Sequence, residues 1–151
     1  MNDDVSGTRV WLILMKAHRA LARTAARNTD DLGLSDFATL ELLLHKGPQP
    51  VNEIGRRIEL TSGAITTAVD RMETRGLVAR RADPDDRRAR VVQLTAKGKT
   101  VIERAFAHHK AAMDQAADAL TKAERRTLIE LLKKLGTSAE QALQQGEKDH
   151  D

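Results

Sequence analysis

The sequence predicts a mainly α-helical fold, in which two short helices precede a two-stranded β-hairpin and long helices lie near both ends of the chain. Apolar residues recur at intervals of three and four along most of the 151 residues, which is the period of an amphipathic helix. The pattern becomes extended only between residues 77 and 94, and clusters of proline, glycine and aspartate separate the segments. One hydrophobic core suits a chain of this length, so we expect residues 1–151 to form a single domain.

The first predicted helix covers residues 8–27 and ends at the Asp-Asp-Leu-Gly segment of residues 30–33. Its apolar stripe is wide enough to bury more than one surface. The stripe consists of Val10, Leu14, Ala17, Leu21 and Ala25, widened by Trp11, Leu12 and Ile13. Either a second subunit or the chain's own core could cover this stripe.

The second predicted helix covers residues 36–46, with Ser35 as its N-cap, because a serine hydroxyl can accept a hydrogen bond from a free amide of the first turn. The helix buries Phe37 and the leucines that follow it at helical spacing. The Gly-Pro-Gln-Pro segment of residues 47–50 ends it, since proline lacks an amide donor and restricts the residue before it.

Two short helices joined by a tight turn follow. The third predicted helix covers residues 51–58, and the fourth covers residues 62–75 after the connection at residues 59–61. Gly76 is the predicted left-handed residue after the fourth helix, because glycine adopts a positive φ without steric cost. This order is that of a helix-turn-helix.

An extended pattern then predicts a hairpin, with strands at residues 77–81 and 90–94 around a charged turn at residues 83–88. An isolated hairpin is marginally stable in water, so we expect it to pack on the preceding helices. A helix-turn-helix with such a hairpin is a winged helix-turn-helix, which the sequence places at residues 35–95.

Two helices complete the chain. Thr95 is the predicted N-cap of a helix over residues 96–120, and Thr121 and Glu124 have the spacing of a capping box that starts the last helix. One side of that helix carries Leu128, Leu131, Leu132, Leu135 and Leu143. The polar tail at residues 144–151 is predicted to fray.

Composition excludes several classes of function. The chain contains no cysteine, so disulfides, thiol redox sensing and cysteine-ligated zinc are excluded. The acidic start and the lack of an apolar run of about 20 residues argue against a signal peptide and a membrane partner, so we expect a cytoplasmic protein. We find no nucleophile with its base, glycine-rich phosphate loop or His/carboxylate cluster, and therefore predict neither an enzyme nor a cofactor.

Metal binding has equally little support, because His108 and His109 are adjacent and point in different directions on a helix. Arginine placement is more informative. Every basic residue between Arg56 and Arg90 is an arginine, and arginine makes forked contacts with phosphate and with guanine that lysine cannot make. A solvated charged surface is the simpler interpretation of this bias alone.

The fourth helix strengthens a nucleic-acid interpretation. With Ile65, Val69 and Met72 turned to the core, its other face carries hydroxyl side chains, a glycine and one long base, Arg71. Such a face lets a helix lie deep in a major groove, while the helix N-terminus offers free amides to a phosphate. In the wing, the segment Asp86-Arg87-Arg88 places two arginines in a turn outside any core. Arginines of such a wing can insert into a narrow, strongly negative minor groove of DNA.

On these residues the sequence resembles the MarR family of bacterial transcriptional regulators. The most specific match is residues 83–95, DPDDRRARVVQLT, where the Asp-Arg-Arg wing precedes Leu-Thr. Residues 60–73, LTSGAITTAVDRME, and residues 75–78, RGLV, also match. Upstream, the match continues through residues 45–48 and 51–55.

The resemblance implies a homodimer whose dimerisation region comprises residues 8–28 and 96–146, and which binds double-stranded DNA at a pseudo-palindromic operator, most often as a repressor. It also implies that Asp86 orients an arginine by a charge-assisted hydrogen bond. The residues assigned to DNA contact are Thr61, Ser62, Gly63, Thr66, Thr67, Asp70, Arg71, Arg75, Asp86, Arg87, Arg88 and Arg90.

The resemblance further implies relief of repression by a small phenolic, quinone or carboxylate effector, bound between the dimerisation region and the winged domain. The corresponding residues are Trp11, Met15, His18, Arg19, Phe37 and His45. His18 or Arg19 could pair with an anionic ligand, although a surface position for His18 and a helix-end position for His45 are the simpler interpretation. A ligand-independent regulator, a metal-responsive regulator and a protein-binding helical adaptor remain alternatives, and salt-dependent binding to duplex DNA separates the adaptor from the others.

Overall fold

The computed structural model describes residues 4–148 and is mainly α-helical, as predicted. Its six helices and three strands match the predicted order, with one additional strand. The elements are α1 (Gly7–Arg27), α2 (Leu34–Lys46), β1 (Gln49–Pro50), α3 (Val51–Arg57), α4 (Ser62–Thr74), β2 (Val78–Ala82), β3 (Arg90–Leu94), α5 (Ala96–Ala116) and α6 (Lys122–Lys148).

The small sheet has the strand order β1-β3-β2, with both pairs antiparallel. The predicted hairpin is confirmed, and its register pairs Val78 with Leu94 and Ala82 with Arg90. The additional strand β1 was not predicted, because two residues, Gln49 and Pro50, carry no alternating pattern. Proline lacks an amide donor and is tolerated in an edge strand. Strand β1 thus covers the second edge of β3.

A single core joins α2, α3, α4, the sheet and the first half of α5. Its fully buried members include Leu40, Ile54, Val69, Met72 and Ile102. The apolar side of α4 and the start of the wing share this core, so α4 and the hairpin stand on one packed base.

Hydrogen bonds of the Thr95 side chain and a close approach at Gly98 hold the start of α5 against the residues that follow α4. Gly76 has a φ of 73°, which confirms the predicted left-handed residue after α4. The Thr95 hydroxyl accepts from the Gly98 amide at 3.0 Å, which confirms the N-cap of α5, and donates to the Gly76 carbonyl at 2.6 Å. A Cβ on Gly98 would lie 1.8 Å from the carbonyl oxygen of Leu77, so only glycine lets α5 lie so close to the strand start.

Three predicted boundaries are wrong. Ser35 is not the N-cap of α2, because the helix begins at Leu34 and extended Gly33 caps it without a side-chain hydrogen bond. Helix α5 ends at Ala116 instead of residue 120. The polar segment at residues 144–148 continues α6 instead of fraying, and residues 149–151 lie outside the described residues.

The early end of α5 has a visible cause in Arg125 of α6. Its Nη2 donates to the Ala117 carbonyl at 2.9 Å, and its Nε donates to the Leu120 carbonyl at 3.2 Å. These bonds cap the carbonyls at residues 117–120, where the chain turns. The predicted capping box then starts α6, since the Thr121 amide donates to Glu124 Oε2 at 2.7 Å and the Glu124 amide donates to Thr121 Oγ1 at 3.2 Å.

The chain divides into two compact units, one up to Met113 and one from Asp114 onward. In the first unit, α1 carries no buried residue, and Trp11 is 58% exposed. In the second unit, the apolar side of α6 is also exposed, with Leu131 at 57%. Both predicted apolar stripes therefore exist as exposed surfaces of the single chain.

Candidate nucleic-acid interface

The first two turns of α4 present small, uncharged side chains to solvent. Thr61 caps the helix, and its Oγ1 accepts from the Ala64 amide at 3.2 Å. On the opposite side, Ile65 and its neighbours in the core are buried. The exposed residues, here called the neutral half of α4, are Ser62, Gly63, Ala64, Thr66 and Thr67.

The two threonine hydroxyls of the neutral half bond to their own helix. Thr66 donates to the Ser62 carbonyl at 2.7 Å, and Thr67 donates to the Gly63 carbonyl at 3.0 Å. Each hydroxyl oxygen can still accept a hydrogen bond, while the methyl group of each exposed side chain remains available for apolar contact. This half can therefore approach a base edge or a phosphate closely, with no charge of its own.

Charged side chains occupy the last turns of α4, and Asp36 of α2 holds two of them. Arg71 Nε donates to Asp36 Oδ2 at 3.1 Å, and Arg71 Nη2 donates to Asp36 Oδ1. Arg75 Nη1 lies 3.9 Å from Oδ2 of the same carboxylate. The Asp36 side chain is 3% exposed, whereas that of Arg71 is 49% exposed. Hydrogen bonding to Asp36 raises the pKa of Arg71 above its ordinary value, so the guanidinium stays charged.

Arg80 of β2 engages the two acids of α4. Its Nη2 donates to Asp70 Oδ1 at 2.6 Å and its Nη1 donates to Glu73 Oε1 at 3.1 Å. The Arg80 backbone amide also donates to Glu73 Oε2 at 3.1 Å. The wing and α4 are therefore linked by side-chain bonds as well as by the shared core. Asp70, predicted to contact DNA, is engaged within the protein in this state.

The turn of the wing is ordered by local aspartate bonds. Asp86 Oδ1 accepts from the backbone amide of Arg88 at 3.0 Å, and the Ala89 amide donates to the Asp86 carbonyl at 3.0 Å. The resemblance implies that Asp86 orients an arginine by a charge-assisted hydrogen bond, and in the structure its carboxylate accepts from the Arg88 backbone amide. Arg87, Arg88 and Arg90 are exposed, and none of them forms an ion pair within residues 4–148.

Of the twelve predicted DNA contacts, Asp86 orders the wing turn, and the other eleven separate into three groups. Thr61 and four members of the neutral half, Ser62, Gly63, Thr66 and Thr67, are exposed at the start of α4. The wing arginines are exposed and unpaired within the described chain. Asp70, Arg71 and Arg75 are exposed or half-buried, and each lies in an ion pair of the fold. Their contact with DNA remains a prediction. These ion pairs were not predicted from the sequence, because Asp36 and Arg71 lie 35 residues apart.

One of the six predicted effector residues borders the cavity beside α2. A cavity of about 430 Å³ lies beside the start of α2, and of the six only Phe37 lines it. Trp11, His18 and Arg19 are exposed on α1. The lining residues are Leu34, Ser35, Phe37, Ala38, Ile58 and Leu60. Sequence reasoning missed Leu34 and Leu60, whose only signal was an apolar side chain beside a turn.

The histidines of α2 and α5 make separate contacts. The ring of His45 lies 5.2 Å from that of Phe106, and the ring of His109 lies 4.8 Å from that of Phe37. His108 instead bonds through Nδ1 to Asp30 Oδ1 at 2.9 Å, so the two adjacent histidines point in different directions, as predicted. The His108 bond, followed by Arg104, lowers the pKa of Asp30 below its ordinary value.

Within residues 4–148, no group of three or more histidine or carboxylate side chains is arranged to hold a metal ion. In the same part of the chain, no helix combines the length and the apolarity needed to cross a membrane.

Comparison with known proteins agrees with this geometry. The family model described as "MarR family" matches residues 32–89, from the end of the α1–α2 connection to the wing turn. The HTH-type transcriptional regulator MhqR of Bacillus subtilis is 37% identical to this chain over 135 residues, which cover 88% of the chain and 93% of the relative. The chain belongs to the MarR family.

Solved MarR structures have the same fold. A mutant MarR of E. coli complexed with operator DNA superimposes with a TM-score of 0.75, at 23% identity, covering 84% of this chain and 93% of that one. A MarR family protein of Mycobacterium tuberculosis in complex with p-aminosalicylic acid gives a TM-score of 0.67 at 27% identity, covering 83% and 96%. As a member of the MarR family, the chain is a DNA-binding transcriptional regulator with a winged helix-turn-helix, and not an enzyme.

Proposed function

We propose that the protein is a homodimeric repressor that binds a pseudo-palindromic operator and is released from it by a small phenolic, quinone or carboxylate molecule. One observation carries this proposal. The neutral half of α4 and three unpaired wing arginines, Arg87, Arg88 and Arg90, are exposed on elements that share one packed base. Helix α4 has 13 residues, about 20 Å at 1.5 Å per residue, and a helix fits the major groove of B-DNA. The wing would then reach the adjacent minor groove.

The wing arginines support affinity for the DNA backbone. Arg87, Arg88 and Arg90 carry three positive charges that no carboxylate of residues 4–148 neutralises by an ion pair. Each phosphate that an arginine neutralises releases condensed counterions, so the affinity of such an interface falls steeply with salt. The E. coli relative was crystallised with operator DNA, which supports the same mode of binding here.

A second copy of the chain is the occupant that we propose for the exposed apolar stripes. Helix α1 exposes Val10, Trp11, Leu12, Ile13, Leu14 and Leu21, and α6 exposes Leu128, Ile129, Leu131, Leu132, Leu135 and Leu143. Scattered apolar residues are normal on a surface, but two continuous rows indicate interfaces. Two-fold symmetry of the dimer would match two half-sites about one helical turn apart.

The effector is the least defined component of the proposal. The complex of the M. tuberculosis relative with p-aminosalicylic acid supports an aromatic carboxylate. Phe37 borders the apolar cavity at the start of α2, and we propose that Trp11, Met15, His18, Arg19 and His45 complete a site only in the dimer. A thermal-shift screen of phenolic acids and quinones tests this, because a ligand that prefers the folded state raises its apparent stability.

Binding to the DNA upstream of its own gene tests the central claim. We expect the protein to shift that duplex at a concentration at least about a hundredfold lower than a random duplex of equal length, within the usual range of specific over non-specific binding. Footprinting should then show two protected half-sites. Equal affinity for both duplexes at moderate salt would contradict operator recognition.

A further inference from the structure

The starting point is the cluster of Asp36, Arg71 and Arg75 on the flank of α4. One carboxylate faces two guanidinium groups, so the cluster carries a net charge of +1. The carboxylate is 3% exposed, and Arg71 is bound to it through Nε and Nη2. The acids of α4 do not neutralise the cluster, because Arg80 binds Asp70 and Glu73.

The cluster restricts how Arg71 can meet DNA. Its guanidinium is bound to a buried group on another helix, so the side chain is held against the protein instead of extending outward. Arg71 is also in the third turn of α4, whereas recognition helices contact base edges mainly with their N-terminal residues. Nη1, on the half-exposed outer edge of the Arg71 guanidinium, can still donate a hydrogen bond to an anion bound at this flank of α4.

We propose that Asp36 is a positioning residue that holds Arg71 and Arg75 as a phosphate-binding pair, and that these two arginines contact the DNA backbone without reading bases. The inference rests on the proposed binding to DNA. It assigns sequence reading to the neutral half. It also gives a function in DNA binding to an acid on α2, although a negative charge near DNA normally weakens binding.

Arg71 substitutions separate phosphate contact from base reading. A guanine reader needs the forked guanidinium, whereas lysine, without that fork, can still bind a phosphate as a point charge. We expect Arg71→Lys to weaken binding to the operator and to random duplex by the same small factor, at most about threefold. Arg71→Ala should weaken both equally, by about tenfold, and reduce the slope of log affinity against log salt by about 0.9 for each phosphate that the variant no longer neutralises. Arg126→Ala on α6 removes the same charge from an exposed position and is the control.

Asp36 substitutions test positioning through the sign of the effect. Asp36→Asn removes one negative charge, and a purely electrostatic effect would tighten DNA binding. We expect DNA binding to be weaker instead, by about fivefold. The far-ultraviolet circular dichroism spectrum of the variant should still be that of a folded protein. Glu53→Gln is the matched control, because Glu53 also binds two arginines, Arg56 and Arg57, but on the surface of α3; it should not weaken binding.

The double variant with Asp36→Asn and Arg71→Ala completes the cycle. If Asp36 acts through Arg71, the double variant binds DNA no more weakly than Arg71→Ala alone, whereas independent structural damage would add to the loss. The proposal is overturned if Arg71→Lys loses affinity for the operator only, or if folded Asp36→Asn binds DNA as tightly as the parent protein. Should Asp36→Asn not fold, the Arg71 series alone decides. Lack of operator preference in the parent protein would contradict the proposed function, while equal losses on random duplex would still support the phosphate role.

Discussion

At the scale of single residues, Gly98 sets the distance between α5 and the start of the wing. A Cβ at this position would lie 1.8 Å from the Leu77 carbonyl oxygen, which is main chain and cannot rotate away. We expect Gly98→Ala to lower the free energy of unfolding by about 3 kcal/mol, at the upper end of overpacking effects. Urea denaturation measures this change.

Gly136 provides the control for that substitution. It lies inside α6, where nothing would lie within 4 Å of an added Cβ. Alanine has the higher helix propensity, so Gly136→Ala should be neutral or stabilising by up to about 1 kcal/mol. A Gly98→Ala variant as stable as Gly136→Ala would show that the α5 contact is not tight.

Asp30 makes stability depend on pH. Hydrogen bonding to His108 lowers its folded-state pKa below the ordinary 3.8, so its contribution is complete above that value. The contribution is lost as pH falls through the lower, folded-state pKa. We expect Asp30→Asn to be less stable than the parent at pH 6, and the difference to diminish towards pH 2. Asparagine also tolerates the φ of 54° found here.

Asp31 is the matched control for the pH experiment. It is exposed beside Asp30, and its carboxylate forms no ion pair with the rest of residues 4–148. Urea unfolding of Asp31→Asn should follow the parent protein across the same pH range. Equal behaviour of the two asparagine variants would remove the assigned role of the Asp30–His108 bond.

At the scale of elements, hydrogen bonds order the backbone of the wing turn, whereas Arg87, Arg88 and Arg90 are exposed. The Arg88 amide is bonded to Asp86, while its side chain is exposed and unpaired within the described chain. We expect Arg88→Ala to weaken operator binding at least about tenfold without changing thermal stability, since arginine contacts to DNA contribute about 1–3 kcal/mol. A gel-shift titration and a thermal melt measure the two quantities. Unchanged affinity would contradict the assigned role of the wing.

Regular elements were predictable because their signals are local. Helical spacing identified α1 to α6 in the right order, and the change of period identified both strands of the wing. Boundaries that depend on distant groups were not predictable. Arg125 ends α5 from the following helix, and β1 exists only because β3 offers it an edge.

The same contrast between local signals and distant contacts applies to the candidate site. The exposed residues of α4 and the wing were recognisable from side-chain type and order. Their internal bonds were not, because nothing in the sequence joins Asp36 to Arg71 or Arg80 to Asp70. Such pairs distinguish arginines that are engaged within the fold from those that are free.

At the scale of the whole molecule, the proposed dimer would cover the exposed leucines of α6. We expect replacement of Leu131 and Leu135 by glutamate to give a monomer, because burying two unpaired carboxylates in an apolar interface is strongly unfavourable. Lys134→Glu, at an exposed position of the same helix, should remain dimeric. Light scattering after gel filtration reports the mass, and a folded dimer from the double-glutamate variant would contradict the proposed role of α6.

The neutral half of α4 has a consequence for how such regulators diversify. Thr66 and Thr67 make side-chain hydrogen bonds only within their own helix, and a Cβ on Gly63 would meet nothing within 4 Å. Substitutions there would leave packing intact, while the ion pairs of Asp36 and Arg80 keep the later turns of the helix in place. After gene duplication, one copy could therefore acquire a new operator preference through a few changes at these positions, without first losing stability.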